Sequence, residues 1–240
     1  SYSNRYGTLI EGEYSSVSIA DGDTAQQAVE ELYRHGHRRI AALISRPNDQ
    51  SISQLRYEGY VQALESHGIP VDPELVISTG GFSAKDAYRA VQEKMAENVD
   101  FTALFAIADS MAIGAMRALM DAGRRIPEDC SVIAIDGLEL SAYIEPPLTT
   151  LCQPMEEIGR RSAEILLDMV QHKGSHACEL LPTTLPDALR GVSSLLLTDL
   201  TALDYDALGR TLEFLANNGA AVEAQALPGR WNAASGTYTV

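Results

Sequence analysis

Positive charge is scarce in this chain: Lys and Arg number 18 against 33 Asp and Glu, a formal net charge of −15 at pH 7. Gripping a nucleic-acid backbone takes cations that displace counterions from the phosphates, so this chain is not expected to hold DNA unaided. The excess acid is spread along the sequence and reads as solubility rather than as an acidic tail. Cysteine is scarce too, with Cys130, Cys152 and Cys178 far apart and no C-x-x-C among them. That spacing supports neither a zinc knuckle nor a dithiol redox site. Cys130 and Cys152 adjoin apolar segments and read as small hydrophobes. No apolar run approaches the ~20 residues that span a bilayer, so no membrane partner is expected. The start from Ser1 to Tyr14 is polar and turn-rich. It lacks the apolar centre of a secretory signal, and the expected location is the cytoplasm.

Catalytic signatures are also missing. The sequence holds no P-loop, no G-x-S-x-G elbow, no H-E-x-x-H and no G-x-G-x-x-G. His35, His67 and His172 fall at the ends of predicted helices, where a cation suits the helix dipole. His37 precedes a strand and reads as structural. Glu156 and Glu157 are adjacent on a helix surface and diverge, unlike a working acid–base couple. The expectation is a protein that is not an enzyme and needs no cofactor or metal.

What is present is an alternation of short apolar runs with amphipathic helices in 240 residues, 45% of them hydrophobic. That is enough chain for one large α/β domain or two small ones. Strands are predicted at Ser16–Ile19, Arg39–Ile44, Leu75–Ser78, Thr102–Ile107, Ser131–Ile135, Leu148–Leu151 and Cys178–Leu181. Between them the 3.6-residue period predicts several helices. The first is capped by Asp21 or Asp23 and ends at Gly36. The second, Ser53–His67, carries Leu55, Gly59, Tyr60, Ala63 and Leu64, and Gly68 stops it. Others are Ala84–Glu97, Met111–Ala122 with Asp109 as its cap, and Met155–Gln171. Strands this apolar throughout suit a parallel sheet covered on both faces. After Pro182, Ser194–Thr198, Asp204–Asn218 and Ala221–Ala226 read as one further β-α-β unit, and 228–240 as an irregular tail.

Several segments, in order and at matching spacing from about residue 16 to 184, resemble the LacI/GalR family of transcriptional repressors. They are Gly36-His37-Arg38-Arg39-Ile40-Ala41, Leu55-Arg56-Tyr57-Glu58-Gly59-Tyr60 and Gly68-Ile69-Pro70. Next come Asp109-Ser110-Met111-Ala112-Ile113-Gly114-Ala115 and Ile126-Pro127-Glu128-Asp129. Ile135-Asp136-Gly137 and Pro147-Leu148-Thr149-Thr150-Leu151 complete the series.

The resemblance implies a periplasmic-binding-protein-like effector domain whose two α/β parts close on a small sugar- or nucleoside-like effector. Residues 16–184 would supply mostly the C-terminal subdomain. The unit at 191–227 would complete or replace part of the second lobe, docking on the Met155–Gln171 helix and the Ser16–Ile19 strand. By the same resemblance Arg56 is a ligand-facing arginine, Asp136 an acceptor for ligand hydroxyl or N–H groups, and Phe82 a stacking aromatic. Each has a plainer alternative: Arg56 as a helix-surface ion pair, Asp136 as a turn-former, Phe82 as loop packing. Ala108 stands where some members carry a polar, ligand-bonding side chain.

A homodimer is implied, with Ile113, Met116, Arg117 and Met120 on a helix that is apolar on more than one face. DNA contact would come only through a helix-turn-helix that this chain does not contain. A periplasmic-type sugar carrier, or an interaction module with a degenerate site, remain the alternatives.

Overall fold

In the computed structural model the described residues are 14–45, 52–171 and 177–185, with the backbone of four short strands beyond residue 193. The chain divides into two compact units, residues 1–186 and 187–240. The first alternates strand and helix: β1 (Ser16–Ile19), α1 (Asp21–Arg34), β2 (Ile40–Ser45), α2 (Ile52–Ser66), β3 (Val76–Thr79) and α3 (Ala84–Ala96). It continues with β4 (Ala103–Ala106), α4 (Asp109–Asp121), β5 (Ser131–Asp136), β6 (Thr149–Cys152), α5 (Met155–Gln171) and β7 (Cys178–Leu181).

Strands β2 to β6 form one parallel sheet in the order β3-β2-β4-β5-β6. Every residue of β2 and β4 is buried, as continuous apolar runs require when helices cover both faces. Crossovers between parallel strands are right-handed, and the chain moves one way from β2 to β3 and the other way from β3 to β4. Helix α2 therefore lies on one face, and α3 and α4 on the other. The direction reverses beside β2 and β4, and the crevice outside the carboxyl ends of such strands is the usual place for a ligand.

Both helix layers are drawn in by glycine. A Cβ on Gly59 of α2 would lie 2.1 Å from the Gly22 carbonyl oxygen of α1. One on Gly114 of α4 would lie 2.0 Å from the Ala84 carbonyl oxygen at the start of α3. At these two crossings backbone meets backbone.

Strands β1 and β7 form a separate parallel pair. Helix α5 packs beside it, with Ile158, Ile165 and Met169 half-buried and Arg161 paired to Glu179 on β7. Leu166, Leu167 and Val170 stay exposed. The apolar side chains of α5 are therefore divided between the side facing β1 and β7 and the exposed side. The chain passes from β1 into α1 at Ala20, and from β6 into α5 at Gln153 and Pro154. Cys152 and Thr184 exchange backbone hydrogen bonds of 2.7 and 3.1 Å, so the segment after β7 runs alongside the second connection.

Several local expectations need correction. Ala20, not Asp21 or Asp23, caps α1, and no side chain satisfies that end, because the Asp21 carboxylate is turned inward to Arg56. Ala108 caps α4, and Asp109 is the first residue inside it. The buried stripe of α2 runs through Ser53, Arg56, Gly59, Tyr60 and Ala63, leaving Leu55 49% exposed. An arginine took a position that apolar periodicity assigned to leucine.

In the second unit β8 (Ser194–Leu197) pairs in parallel with β9 (Ala221–Ala224). The expected helix 204–218 between them lies outside the described residues, as does His172. The tail expected to be irregular instead contains an antiparallel pair, β10 (Arg230–Asn232) with β11 (Thr237–Thr239). Its aromatic and β-branched residues, Trp231, Thr237, Tyr238 and Thr239, favour strand.

The glycine contact is testable. Gly59→Ala places a methyl group on the Gly22 carbonyl, and overpacking of this kind typically costs about 1–3 kcal/mol. Urea denaturation should show a lower midpoint for Gly59→Ala; an unchanged midpoint would mean the α1–α2 crossing tolerates separation.

Candidate functional site

At the carboxyl ends of the sheet one cation gathers three elements. Ser53 donates to the Ser45 carbonyl, tying the first turn of α2 to the end of β2, and this places Arg56 over the point where β2 and β4 diverge. The residue is only 2% exposed. Its Nε donates to Asp21 Oδ1 at 2.7 Å. Its Nη1 donates to the Ile107 carbonyl after β4, and at 3.3 Å to Asp136 Oδ1 at the end of β5. The Nη2 group has no hydrogen-bond acceptor among the described residues. Of the alternatives for Arg56, the ion pair is present, but it is buried rather than on the helix surface.

Asp136 closes β5 with φ at +146°, a region that side-chain-bearing residues rarely enter and that clusters at functional sites. Gly137 follows at φ +74°, packed so tightly on Cys152 that a Cβ would sit 2.5 Å from its sulfur. Asp136 Oδ1 also accepts from Gln153 Nε2 at 2.7 Å, while Oδ2 faces the Asp109 amide at 3.4 Å. Burial pushes the Asp136 carboxyl above the ordinary carboxylate range, and the Asp109 charge adds to the rise. Arg56 and the Gln153 hydrogen bond oppose it.

Asp109, which sequence reasoning took for a cap, braces this corner from beneath. It is fully buried and accepts from the Leu138 amide at 2.8 Å, from Ser141 Oγ at 2.7 Å and from Thr150 Oγ1. Two carboxylates thus stand side by side in different roles. Asp109 spends its lone pairs on neutral donors that hold the turn after β5, whereas Asp136 faces the guanidinium. The structure brings Arg56 and Asp136 into direct contact. Phe82 is not brought to that pair: its carbonyl accepts from Ser110 Oγ at 2.7 Å, and the residue is 43% exposed in the loop after β3.

Elsewhere the polar groups read as structural. His37 bridges Thr102 Oγ1 and Ser131 Oγ at 3.0 Å each, and burial lowers its pKa. The His67 ring stacks on Tyr33 at 3.7 Å. Cys130 is fully buried, which pushes its thiol up to about 12. No group of three His, Cys, Asp or Glu placed to hold a metal occurs among the described residues. An open groove of about 550 Å³ lies at the opposite, amino-terminal edge of the sheet, among Arg39, Glu74, Lys94 and Asp100. It shares no residue with the Arg56 cluster.

A parallel α/β unit with a charged cluster at its strand reversal has the layout in which such sheets usually hold a ligand. Comparison with known proteins narrows it: residues 29–187 match the periplasmic binding protein-like domain. The chain belongs to that family, in its LacI/GalR-type regulator branch. The Escherichia coli (strain K12) repressor CytR is 39% identical over 175 residues, covering 70% of this chain and 51% of the repressor. The Thermobifida fusca regulator CelR is 34% identical over 183 residues, covering 76% and 53%. The chain therefore spans about half the length of these curated relatives.

Among solved structures, the complex of the regulator CelR with cellobiose matches with a TM-score of 0.68 at 33% identity, over 73% of this chain and 54% of that one. A LacI family regulator from Enterococcus faecium with bound ribose also gives 0.68 at 33% identity, over 75% and 66%. These relatives are transcriptional regulators, not enzymes. No described helix is long and apolar enough to cross a membrane.

The raised Asp136 carboxyl has a signed consequence for stability. Its folded pKa exceeds its unfolded one, so the folded state binds more protons between the two values and stability falls as pH rises through that window. Asp136→Asn should flatten this fall in denaturation midpoints measured from acid to neutral pH. Parallel pH profiles for wild type and Asp136→Asn would show that the carboxyl is not held up.

Proposed function

We propose that this chain is the effector-sensing part of a LacI/GalR-type transcriptional regulator, working in the cytoplasm. A small sugar- or nucleoside-like effector binds at the carboxyl ends of β2, β4 and β5, against Arg56 and Asp136, with Phe82 at the rim to stack on a ring face. The observation that carries this reading is the guanidinium of Arg56. It is buried at the strand reversal, yet its Nη2 donors have no acceptor among the described residues, a situation that a ligand oxygen relieves.

The charge around it favours a neutral, hydroxyl-bearing ligand. One arginine is shared by Asp21 and Asp136, with Asp109 behind them, so a carboxylate or phosphate would meet more negative charge than positive. Relatives solved with cellobiose and with ribose are in keeping with such a ligand. Effector binding would then bias the arrangement of the two parts of the unit, and in a complete regulator the presentation of its DNA-reading heads.

Calorimetric titration of the chain with D-ribose, cellobiose and adenosine should give saturable binding to at least one. Phe82→Ala should weaken it by about 0.5–1.5 kcal/mol, the usual worth of an aromatic stacking contact. Absence of binding across the panel, or unchanged affinity in both Phe82→Ala and Asp136→Asn, would remove the site.

A homodimer belongs to the same proposal. On α4 Met116 proves buried, while half-buried Ile113 and the 36%-exposed Met120 flank the Arg117–Asp121 ion pair. Sedimentation velocity should show a dimer at micromolar concentration; a monomer at high micromolar concentration would count against it.

A further inference from the structure

Two connections carry the chain between the five-stranded sheet and the β1–β7 pair with its helix α5. One runs from β1 into α1 at Ala20, the other from β6 into α5 through Gln153 and Pro154. Each connection delivers one polar side chain to the same ion pair. From the first, Asp21 reaches Arg56 Nε at 2.7 Å, with both side chains at most 5% exposed. From the second, Gln153 Nε2 reaches Asp136 Oδ1 at 2.7 Å, and the Gln153 amide donates to the Asp136 carbonyl at 3.1 Å.

The lengths along this chain of contacts are unequal. Asp21 to Arg56 and Gln153 to Asp136 are both 2.7 Å, whereas Arg56 to Asp136 in the middle is 3.3 Å. The firm contacts are the outer ones, and the loose one is where the effector would sit. The segment after β7 is held to the same two places: Thr183 Oγ1 lies 3.2 Å from Thr24 Oγ1 on α1, and Thr184 pairs with Cys152. Backbone contact between Gly22 and Gly59 keeps Asp21 from retreating from Arg56.

We propose that Asp21 and Gln153 are positioning residues that tie the Arg56–Asp136 pair to the two connections, so that a ligand group entering between Arg56 and Asp136 is felt at both. This rests on the reading of the crevice as the effector site. A hydroxyl that replaces the long central contact moves the guanidinium and the carboxylate apart. Each is anchored outward by a short bond, so the displacement passes to α1 at its first residue and to the segment leading into α5. Either carboxylate alone would neutralise Arg56; two from different elements make it a link rather than a simple buried pair.

The test reads Asp136 directly, by carbon NMR titration of its carboxyl in the full 240-residue chain without ligand. The charged groups facing Asp136 are Arg56 from α2 and Asp109 from α4, with neutral Gln153 after β6. Asp21→Asn should lower the Asp136 midpoint, because the Arg56 charge is then left to Asp136 alone. Gln153→Ala should raise it, because a donor to the carboxylate is lost. Asp21→Glu, which restores the charge, should hold it near wild type.

Loss of packing alone does not produce shifts of opposite sign with charge rescue. Midpoints that stay put in both Asp21→Asn and Gln153→Ala, or that move together, overturn the proposal. Gln153 is only partly buried, so its variant decides the matter if Asp21→Asn does not fold. Titration with D-ribose and cellobiose then separates the two claims. Where one of them binds wild type, both variants should bind it about tenfold more weakly, the scale of one charge-assisted hydrogen bond. The expected carboxyl shifts with neither these sugars nor adenosine bound would support the positioning roles and count against the effector reading alone.

Discussion

Everything at the carboxyl edge of the sheet is arranged around the burial of one guanidinium. A charge taken out of water costs several kcal/mol unless paired and hydrogen-bonded, and Arg56 is almost wholly inside. Meeting that demand draws the first residue of α1, the chain leaving β4 and the last residue of β5 to one place. Asp136 in turn takes up an unfavourable backbone angle, and Gly137 must be glycine to turn against Cys152. Asp109 then satisfies the amide and hydroxyls exposed by that turn. The corner is a set of consequences of a single buried cation.

The same arrangement explains how two neighbouring carboxylates coexist. Asp109 is supplied with an amide and two hydroxyl donors, all of them neutral. Asp136 has only one neutral side-chain donor at hydrogen-bonding distance of 3.0 Å or less and leans on the shared arginine, so burial tells more heavily on it. A group poised in this way is more responsive to what enters the crevice than one already saturated with donors. That contrast separates an acid satisfied by neutral donors from one that shares a cation.

Much of this was readable in the amino-acid order. Continuous apolar runs such as Ile40–Ser45 and Ala103–Ala106 have no alternative to a covered parallel sheet, and their strands lie within a residue or two of expectation. What misled was polarity in the interior. Periodicity places Leu55 inward and Arg56 outward, because it weighs hydrophobicity and cannot see Asp21 arriving from another helix. For the same reason Asp21 and Asp109 read as helix caps: a cap is the commonest local use of aspartate, and their actual partners are distant in sequence. The nomination of Arg56, Asp136 and Phe82 came from the family resemblance, and no local pattern would have singled them out. The β10–β11 pair was missed because Gly, Ser and Asn dominated the reading of a segment that also holds alternating Thr and Tyr.

The glycine crossings carry a mechanical implication. Where two helices touch through main-chain atoms, their spacing is set by covalent geometry rather than by how side chains happen to fill a gap. The α1–α2 and α3–α4 pairs are clamped in this way on opposite faces of the sheet. Main-chain contact of this kind leaves the helices of each pair no room to close further. Helix α5 has no fully buried residue and is joined to the five-stranded sheet through a short, proline-marked connection. The contrast is between helices placed by main-chain contact and one whose place rests on half-buried side chains and a two-residue connection.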